Sequence, residues 1–519
     1  MKKRILFKPL AAIFIITAFS SISEAQLTMT AQVRTRTEFR QGQGTLIENH
    51  QTPSLFTSQR TRLNIGYTTD HLRFFTAIQD VRVWGQDAST IANSDGNRLD
   101  LHEGWGEIIF NDTTYLKKIK NLSLKIGRQE IVYDDERLLG SLGWLQQARS
   151  HDAAILKFAH KSWIVDAGAA FNQQREQKNT GNLYTGVPLV QLGTDSVNTA
   201  APAGTNFIGT MYKSMQFLYI SKEIAFTKAT FLFFKDDFQK PAIALPGSKV
   251  PVFQKGTNDR VTIGGNIFAT IMRKHKIDAT FFYQGNKDKS GNTMDAYMAC
   301  LSTQFAIGRK FTTGPGVDYL SGNNSHQTTT VNHRFDPLYG TPHKFWGYMD
   351  YFYVADPYGY KGNNNKSPGL LNFYWKSKYK LRDNMIATLD LHEFYAGNTV
   401  ADESNTAQNL NRRLGTEIDF VLTYNMTKSI GIEAGYGLML ATQSMDKLKR
   451  TGAQTFGTKA IGATADIPTF TDKKNIGNWA YLMITIRPDL LGQIAAKLID
   501  LTKSVDGLRK DVDTINQPK

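Results

Sequence analysis

Arginine recurs at alternate positions near the start of the chain, as Arg34, Arg36 and Arg40, then Arg60 and Arg62, then Arg82. Successive side chains of an extended strand point to opposite faces, so residues two apart share one. On neighbouring strands these guanidinium groups would form a ladder. Each is permanently charged and offers a planar fork of donors that matches a carboxylate in two hydrogen bonds, so a ladder can hand an organic anion from one position to the next. Rings of such cations are a known selectivity device in pores. The acids Glu38, Asp80, Glu103 and Glu107 stand among them. They leave a second reading open, in which opposite charges neutralise one another as a salt-bridged wall.

No His-Glu-x-x-His motif occurs, and His102-Glu103 and His392-Glu393 are adjacent pairs whose members should face opposite ways, so neither pair is expected to bind one ion. There is no Gly-x-Ser-x-Gly elbow, no P-loop and no dinucleotide-binding glycine pattern. Asn286 to Asn292 resembles half of a calcium loop, but Tyr297 stands where the bidentate acid belongs, and the stretch reads as a glycine-bearing connection. The expectation is a non-enzyme without cofactor or metal. An outer-membrane hydrolase built from scattered Ser, His and Asp is the alternative that no motif supports.

The elements that must carry the arginines alternate strongly. Leu27, Met29, Ala31, Val33 and Phe39 share one face, and Gln32, Arg34, Arg36, Glu38 and Arg40 the other. A second strand opposes Leu63, Ile65 and Tyr67 to Arg60, Arg62 and Asn64. A third, Arg73 to Trp84, sets Asp80 and Arg82 against Val81 and Val83, and a fourth groups Glu103, Trp105 and Glu107. Further strands are expected at about 121–133, 151–160, 162–173, 209–221, 224–238, 258–272, 275–286, 293–306, 309–320, 368–381, 384–397, 411–425, 428–441 and 476–487. Long connections (41–56, 86–98, 134–150, 174–208, 239–257) alternate with short ones, the pattern of outer loops and periplasmic turns in an outer-membrane barrel, where bacterial strand counts are even. Residues 343–357 have strand-like composition, but including them breaks the alternation. Assigning 321–367 to one long outer loop that folds into or over the pore gives eighteen strands. The fold class is therefore all-β, a transmembrane antiparallel β-barrel of about 18 strands with a C-terminal helical tail, and a barrel of that size encloses a channel unless something plugs it.

Composition agrees. After the first residues no apolar run is long enough for a membrane-spanning helix, while 31 Phe, 21 Tyr and 7 Trp can supply interfacial girdles. Lys2, Lys3, Arg4 and Lys8, an apolar stretch from Leu10 to Phe19 and Ser23-Glu24-Ala25 read as a signal peptide over residues 1–25, the alternative being a membrane anchor. The formal net charge of +15 falls to +12 when residues 1–25, with four cations and Glu24, are removed. That favours anionic partners such as acidic polysaccharide or the phosphates of lipopolysaccharide; no nucleic-acid recognition motif is present. The lone Cys300 permits no internal disulfide. Beyond the barrel expected over 26–488, residues 489–519 place Leu491, Ile494, Leu498, Leu501, Val505, Leu508, Val512 and Ile515 at a heptad spacing. The seam suits a periplasmic coiled coil, through self-association or a partner bound at 491–515. A single amphipathic helix on the barrel mouth, or a frayed tail, suits it as well.

Residues 126–152 read Ile-Gly-Arg-Gln-Glu-Ile-Val-Tyr-Asp-Asp-Glu-Arg-Leu-Leu-Gly-Ser-Leu-Gly-Trp-Leu-Gln-Gln-Ala-Arg-Ser-His-Asp. This stretch resembles the signature of the alginate-export family of outer-membrane porins. Ile78-Gln-Asp-Val-Arg-Val-Trp-Gly85, Asp318-Tyr-Leu-Ser-Gly322, Phe335-Asp-Pro-Leu-Tyr339 and His343-Lys-Phe-Trp-Gly-Tyr-Met-Asp350 are similar to stretches of members from Bacteroidetes. The resemblance spans about residues 27–488. It implies an eighteen-stranded monomeric barrel with an electropositive lumen for an acidic polymer, and puts Arg128, Arg137, Arg149 and Asp152 among the pore residues. Alternation instead sets Arg128 in phase with the outward Leu124 and Ile126, and a β-bulge near Gly127 would reconcile the two. The tail after Pro488 departs from the family's usual ending.

The expected function is an outer-membrane channel for alginate-like polyuronate or other organic anions, lined by Arg34, Arg36, Arg40, Arg60, Arg62, Asp80, Arg82, Glu103, Glu107, Arg128, Arg137, Arg149 and Asp152. The alternative is a structural barrel, plugged by the 321–367 loop, that docks a periplasmic partner through its tail.

Overall fold

The computed structural model describes residues 26–47, 51–85, 99–110, 121–172, 212–240, 242–244, 251–253, 255–327, 330–352, 367–402, 405–449, 475–492, 501 and 504–505. Eighteen long strands form one sheet: β1 (Gln26–Gln41), β2 (Ser54–Thr68), β3 (Leu72–Val83), β4 (Leu99–Ile109), β5 (Asn121–Gln129), β6 (His151–His160), β7 (Trp163–Phe171), β8 (Ser214–Ile224) and β9 (Thr227–Gln239) make the first half. The second half is β10 (Thr257–Ile271), β11 (His275–Lys287), β12 (Thr293–Ile307), β13 (Phe311–Leu320), β14 (Leu370–Arg382), β15 (Met385–Ala396), β16 (Arg413–Asn425), β17 (Ile430–Ala441) and β18 (Ile476–Ile486). Each pairs antiparallel with its neighbours in sequence, and β18 closes the ring on β1, from Val33 opposite Ile486 to Gln41 opposite Asn478. Closure leaves no strand edge unpaired, the condition for crossing a bilayer with strands. No described helix is long and apolar enough to cross one.

Short turns at 69–71, 161–162, 225–226, 272–274, 308–310, 383–384 and 426–429 lie at one end with the 110–120 connection, and the remaining connections lie at the other. The strand-like stretch at 343–357 is not a strand where described: a 3-10 turn, Pro342–Lys344, leads into irregular chain. Leu101, Ile126, Leu156, Phe281, Leu301, Phe373, Phe420 and Leu482 face outward and exposed, an apolar belt suited to hydrocarbon.

The interior is packed. Leu138 and Leu139 from the β5–β6 loop, together with Phe335, Leu338, Tyr339, Trp346, Met349, Tyr351 and Phe352 from the β13–β14 loop, form one buried cluster with inward wall residues such as Met215, Phe234, Phe282, Met298, Phe394 and Trp479. Both loops are held to each other by backbone bonds: Tyr339 N–H donates to Leu138 O at 2.9 Å, Gly140 N–H to Tyr339 O at 3.0 Å and Thr341 N–H to Glu136 O at 2.8 Å. A loop sheltered from water must satisfy its backbone groups in this way.

The only α-helix with described bounds is α1 (Gln443–Lys449), in the β17–β18 loop rather than in the tail. The chain beyond β18 begins by pairing with β1, through Ala31 N–H to Pro488 O at 3.1 Å and Leu490 N–H to Met29 O at 2.9 Å. Gly492, Leu501, Ser504 and Val505 are helical; the rest of the heptad stretch, like the expected signal peptide, lies outside the described residues.

Candidate functional site

Three of the sequence-selected arginines converge where the β5–β6 loop crosses the inner wall. Arg34 on β1 spends its whole fork on neutral oxygens, donating to Gln146 Oε1 at 2.9 Å, Gly143 O at 2.7 Å, Trp144 O at 3.2 Å and Leu145 O at 3.1 Å. Arg60 on β2 donates to Gln32 Oε1 at 2.9 Å and Gln146 O at 3.4 Å, and Arg62 to Gln79 Oε1 at 3.0 Å. The carboxylate nearest Arg62 is Glu130, at 3.8 Å. Arg34 and Arg60 are directly across β1 and β2 from each other in register. Strand pairing thus stacks like charges whose hydrogen bonds go to neutral oxygens of the loop and wall.

Arg36, Arg40 and Arg137 are neutralised by carboxylates. Glu38 takes Arg36 at 2.8 Å and Arg40 at 2.8 Å while accepting from Trp479 Nε1 at 3.1 Å. Arg137 lies between Asp318 at 3.0 Å and Asp135 at 3.2 Å, with its plane 3.9 Å from the Phe345 ring centre. Arg149 donates to Gly340 O at 2.9 Å. Glu107, buried on the inner wall, accepts from Arg73 at 3.3 Å and Ser123 at 2.6 Å. Arginines paired with carboxylates and arginines bonded to neutral oxygens thus occupy different places on the wall.

Four expected pore residues point elsewhere. Gln79 and Ala77 are the buried inward positions of β3, so Asp80 and Arg82 share the outward face with Ile78 and pair there at 2.7 Å. On β5 the register runs through Gly127 without a shift, which leaves Arg128 outward, opposite an outward Asp152 at 3.4 Å. The bulge expected near Gly127 does not occur. All four sit at the loop ends of their strands, where the outer face passes beyond the apolar belt and tolerates charge.

A bulge lies instead in β4. Ala77 pairs with Glu103 and Ile78 with Leu101, so His102 has no register partner. The extra residue turns His102 inward beside Glu103, against the expectation that the pair splits across the sheet. His102 Nε2 meets Glu130 Oε1 at 2.8 Å, and Glu103 Oε2 accepts from Trp105 Nε1 at 3.2 Å and Glu130 N–H at 3.1 Å. The His392-Glu393 pair does split: His392 is buried, while Glu393 bonds Arg413 outside.

A cavity of about 440 Å³ adjoins the arginines, lined among others by Arg34, Trp144, His343, Lys344, Tyr348 and Tyr481. Its wall is a column in which the Arg36 guanidinium lies 4.0 Å from the Trp144 ring, Trp144 stacks on His343 at 4.1 Å and His343 on Tyr348 at 4.9 Å. Sequence reasoning quoted these loop residues without giving them a role, since an irregular loop has no period to show which side chains turn inward. The loop is seated on β16, where Glu417 Oε1 accepts from Met349 N–H at 2.8 Å and Asp419 Oδ2 from Tyr348 N–H at 3.1 Å. Lys344 bridges to Glu136 on the other loop, and Thr341 Oγ1 donates to the same carboxylate at 2.9 Å.

Residues 25–185 match the family model described as alginate export, and the 126–152 stretch falls within them. Among solved structures the chain is similar to OpdO of Pseudomonas aeruginosa, at 9% identity and a TM-score of 0.52, covering 91% of this chain and 99% of that one. It is also similar to OccAB4 of Acinetobacter baumannii, at 9% identity and a TM-score of 0.51, covering 89% of this chain and 98% of that one. At such identity the likeness is one of fold. No curated protein matches the chain in sequence.

Proposed function

We propose that this protein is an outer-membrane channel of the alginate-export type, passing anionic saccharides or other organic anions along the path marked by Arg34, Arg60 and Arg62. What carries the reading is that these three inward guanidinium groups bond mainly to carbonyl and amide oxygens, with no carboxylate closer than the 3.8 Å of Glu130. A passing carboxylate can replace a neutral acceptor with a charge-assisted bond of roughly twice the strength. The match of residues 25–185 to the alginate-export model and the closed barrel support the same reading. It includes a signal peptide over 1–25, a barrel over 26–488 in the outer membrane among lipid and lipopolysaccharide, and a helical tail over 489–519.

The Arg60→Ala, Arg62→Ala double variant tests it in planar bilayers under a salt gradient. The expected outcome is a reversal potential shifted toward zero with the barrel intact by electrophoretic heat-modifiability. An unchanged reversal potential overturns the anion path. The second reading, a plugged docking barrel, has its own support in the apolar cluster that binds the β13–β14 loop to the wall. It expects a silent bilayer for the wild type.

A further inference from the structure

We propose that His102, Glu103 and Glu130 form a binding site for a divalent transition-metal cation, Zn²⁺ above all, on the inner wall of the barrel. Among the described residues this is the one set of three such groups whose ligand atoms all lie within 4.8 Å of one another. An imidazole nitrogen and two carboxylate oxygens are the borderline donor set of Zn²⁺; Ca²⁺ and Mg²⁺ take oxygen alone. Regular pairing would forbid the site, because it sends adjacent residues to opposite faces. The bulge in β4 removes that obstacle: His102 is unpaired in register and only 4% exposed, on the same side as Glu103.

The surroundings orient the donors. Trp105 Nε1 and the Glu130 backbone N–H both bond Glu103 Oε2, fixing that carboxylate, and outer partners of this kind set the direction of metal ligands. His102 Nε2 and Glu130 Oε1, 2.8 Å apart, share a hydrogen bond that a cation would replace, the two donors opening to about 3.3 Å for bonds of about 2.0–2.1 Å at the tetrahedral angle. Three protein donors leave one tetrahedral position for water or a solute. The nearest opposing charge is Arg62, 3.8 Å from Glu130 Oε1. Its guanidinium competes with the cation for that oxygen.

The proposal stands apart from the transport reading, so its test measures binding alone. Untagged full-length protein in detergent at neutral pH is titrated with ZnCl₂ by calorimetry, with the emission of Trp105 and the other tryptophans followed in parallel. The expected result is one Zn²⁺ per chain in a saturable step, weakened at least tenfold in both His102→Gln and Glu130→Gln, each of which retains heat-modifiable mobility. A wild type without a saturable step overturns the site, as does a His102→Gln variant that binds like the wild type. Should either variant fail to fold, Glu103→Gln takes its place with the same criterion.

Discussion

Glu136 joins two loops that are remote in sequence, accepting from Thr341 and pairing with Lys344. Burial works against its charge, yet the hydrogen bonds from Lys344 and Thr341 outweigh burial and hold the carboxyl below the ordinary value of 4.5. A carboxyl depressed in the folded state contributes stability that is complete above its unfolded value and is lost as pH falls through the folded one. The bridge should therefore persist at neutral and mildly acid pH and fail only below the ordinary carboxylate range. Single-channel noise recorded from pH 7 to 3 should rise at the acid end in the wild type, and that rise should be absent from Glu136→Gln, in which noise is already high at pH 7. The same scale shows what alternation can and cannot reveal. It grouped Arg34, Arg36 and Arg40 correctly because apolar partners on the opposite face fixed which side meets lipid. At Asp80 and Arg82 it gave the shared face but turned it inward, since Val81 and Val83 are also tolerated inside. His102 was expected opposite Glu103 and is turned to the same side, because one inserted residue in a ladder has no composition signature.

Among the elements, all eighteen strands were legible, one to its ends (151–160 expected, His151–His160 observed) and others to within a few residues (209–221 expected, Ser214–Ile224 observed), because lipid on one side and a polar or packed interior on the other impose a period of two. The inner loops obey no such period. Their positions follow from individual bonds, of which the seat of the β13–β14 loop on Glu417 and Asp419 is the most exacting. Gly347 adopts φ +82, and a Cβ there would strike the Glu417 carboxylate. Gly347→Ala combines that clash with a left-handed backbone costing about 1–2 kcal/mol for a residue with a side chain. The variant should unseat the loop while the barrel persists, so mean conductance in bilayers rises and heat-modifiability is retained. Equal conductance in variant and wild type would remove the loop from any control of the path.

For the whole molecule, closure depends on β18, and the residues just past it reinforce the seam by pairing with β1. Truncation after Gly492 keeps those bonds and should leave barrel assembly and conductance unchanged, while co-purification of any periplasmic partner, or self-association by sedimentation, is lost if the heptad stretch mediates it. A truncated chain that no longer assembles would make the tail part of the fold. The bonds between the two inner loops carry a last consequence, one of timing. Leu138 and Tyr339, and Glu136 and Thr341, meet across some two hundred residues of chain, and contacts so distant form slowly because loop closure must precede them. Most strands need only their neighbours in sequence, but the seam of β1 with β18 spans more than four hundred residues, further still than the interior pairing. Seam and constriction should both therefore be late events, and a newly inserted molecule is expected to leak until they are in place.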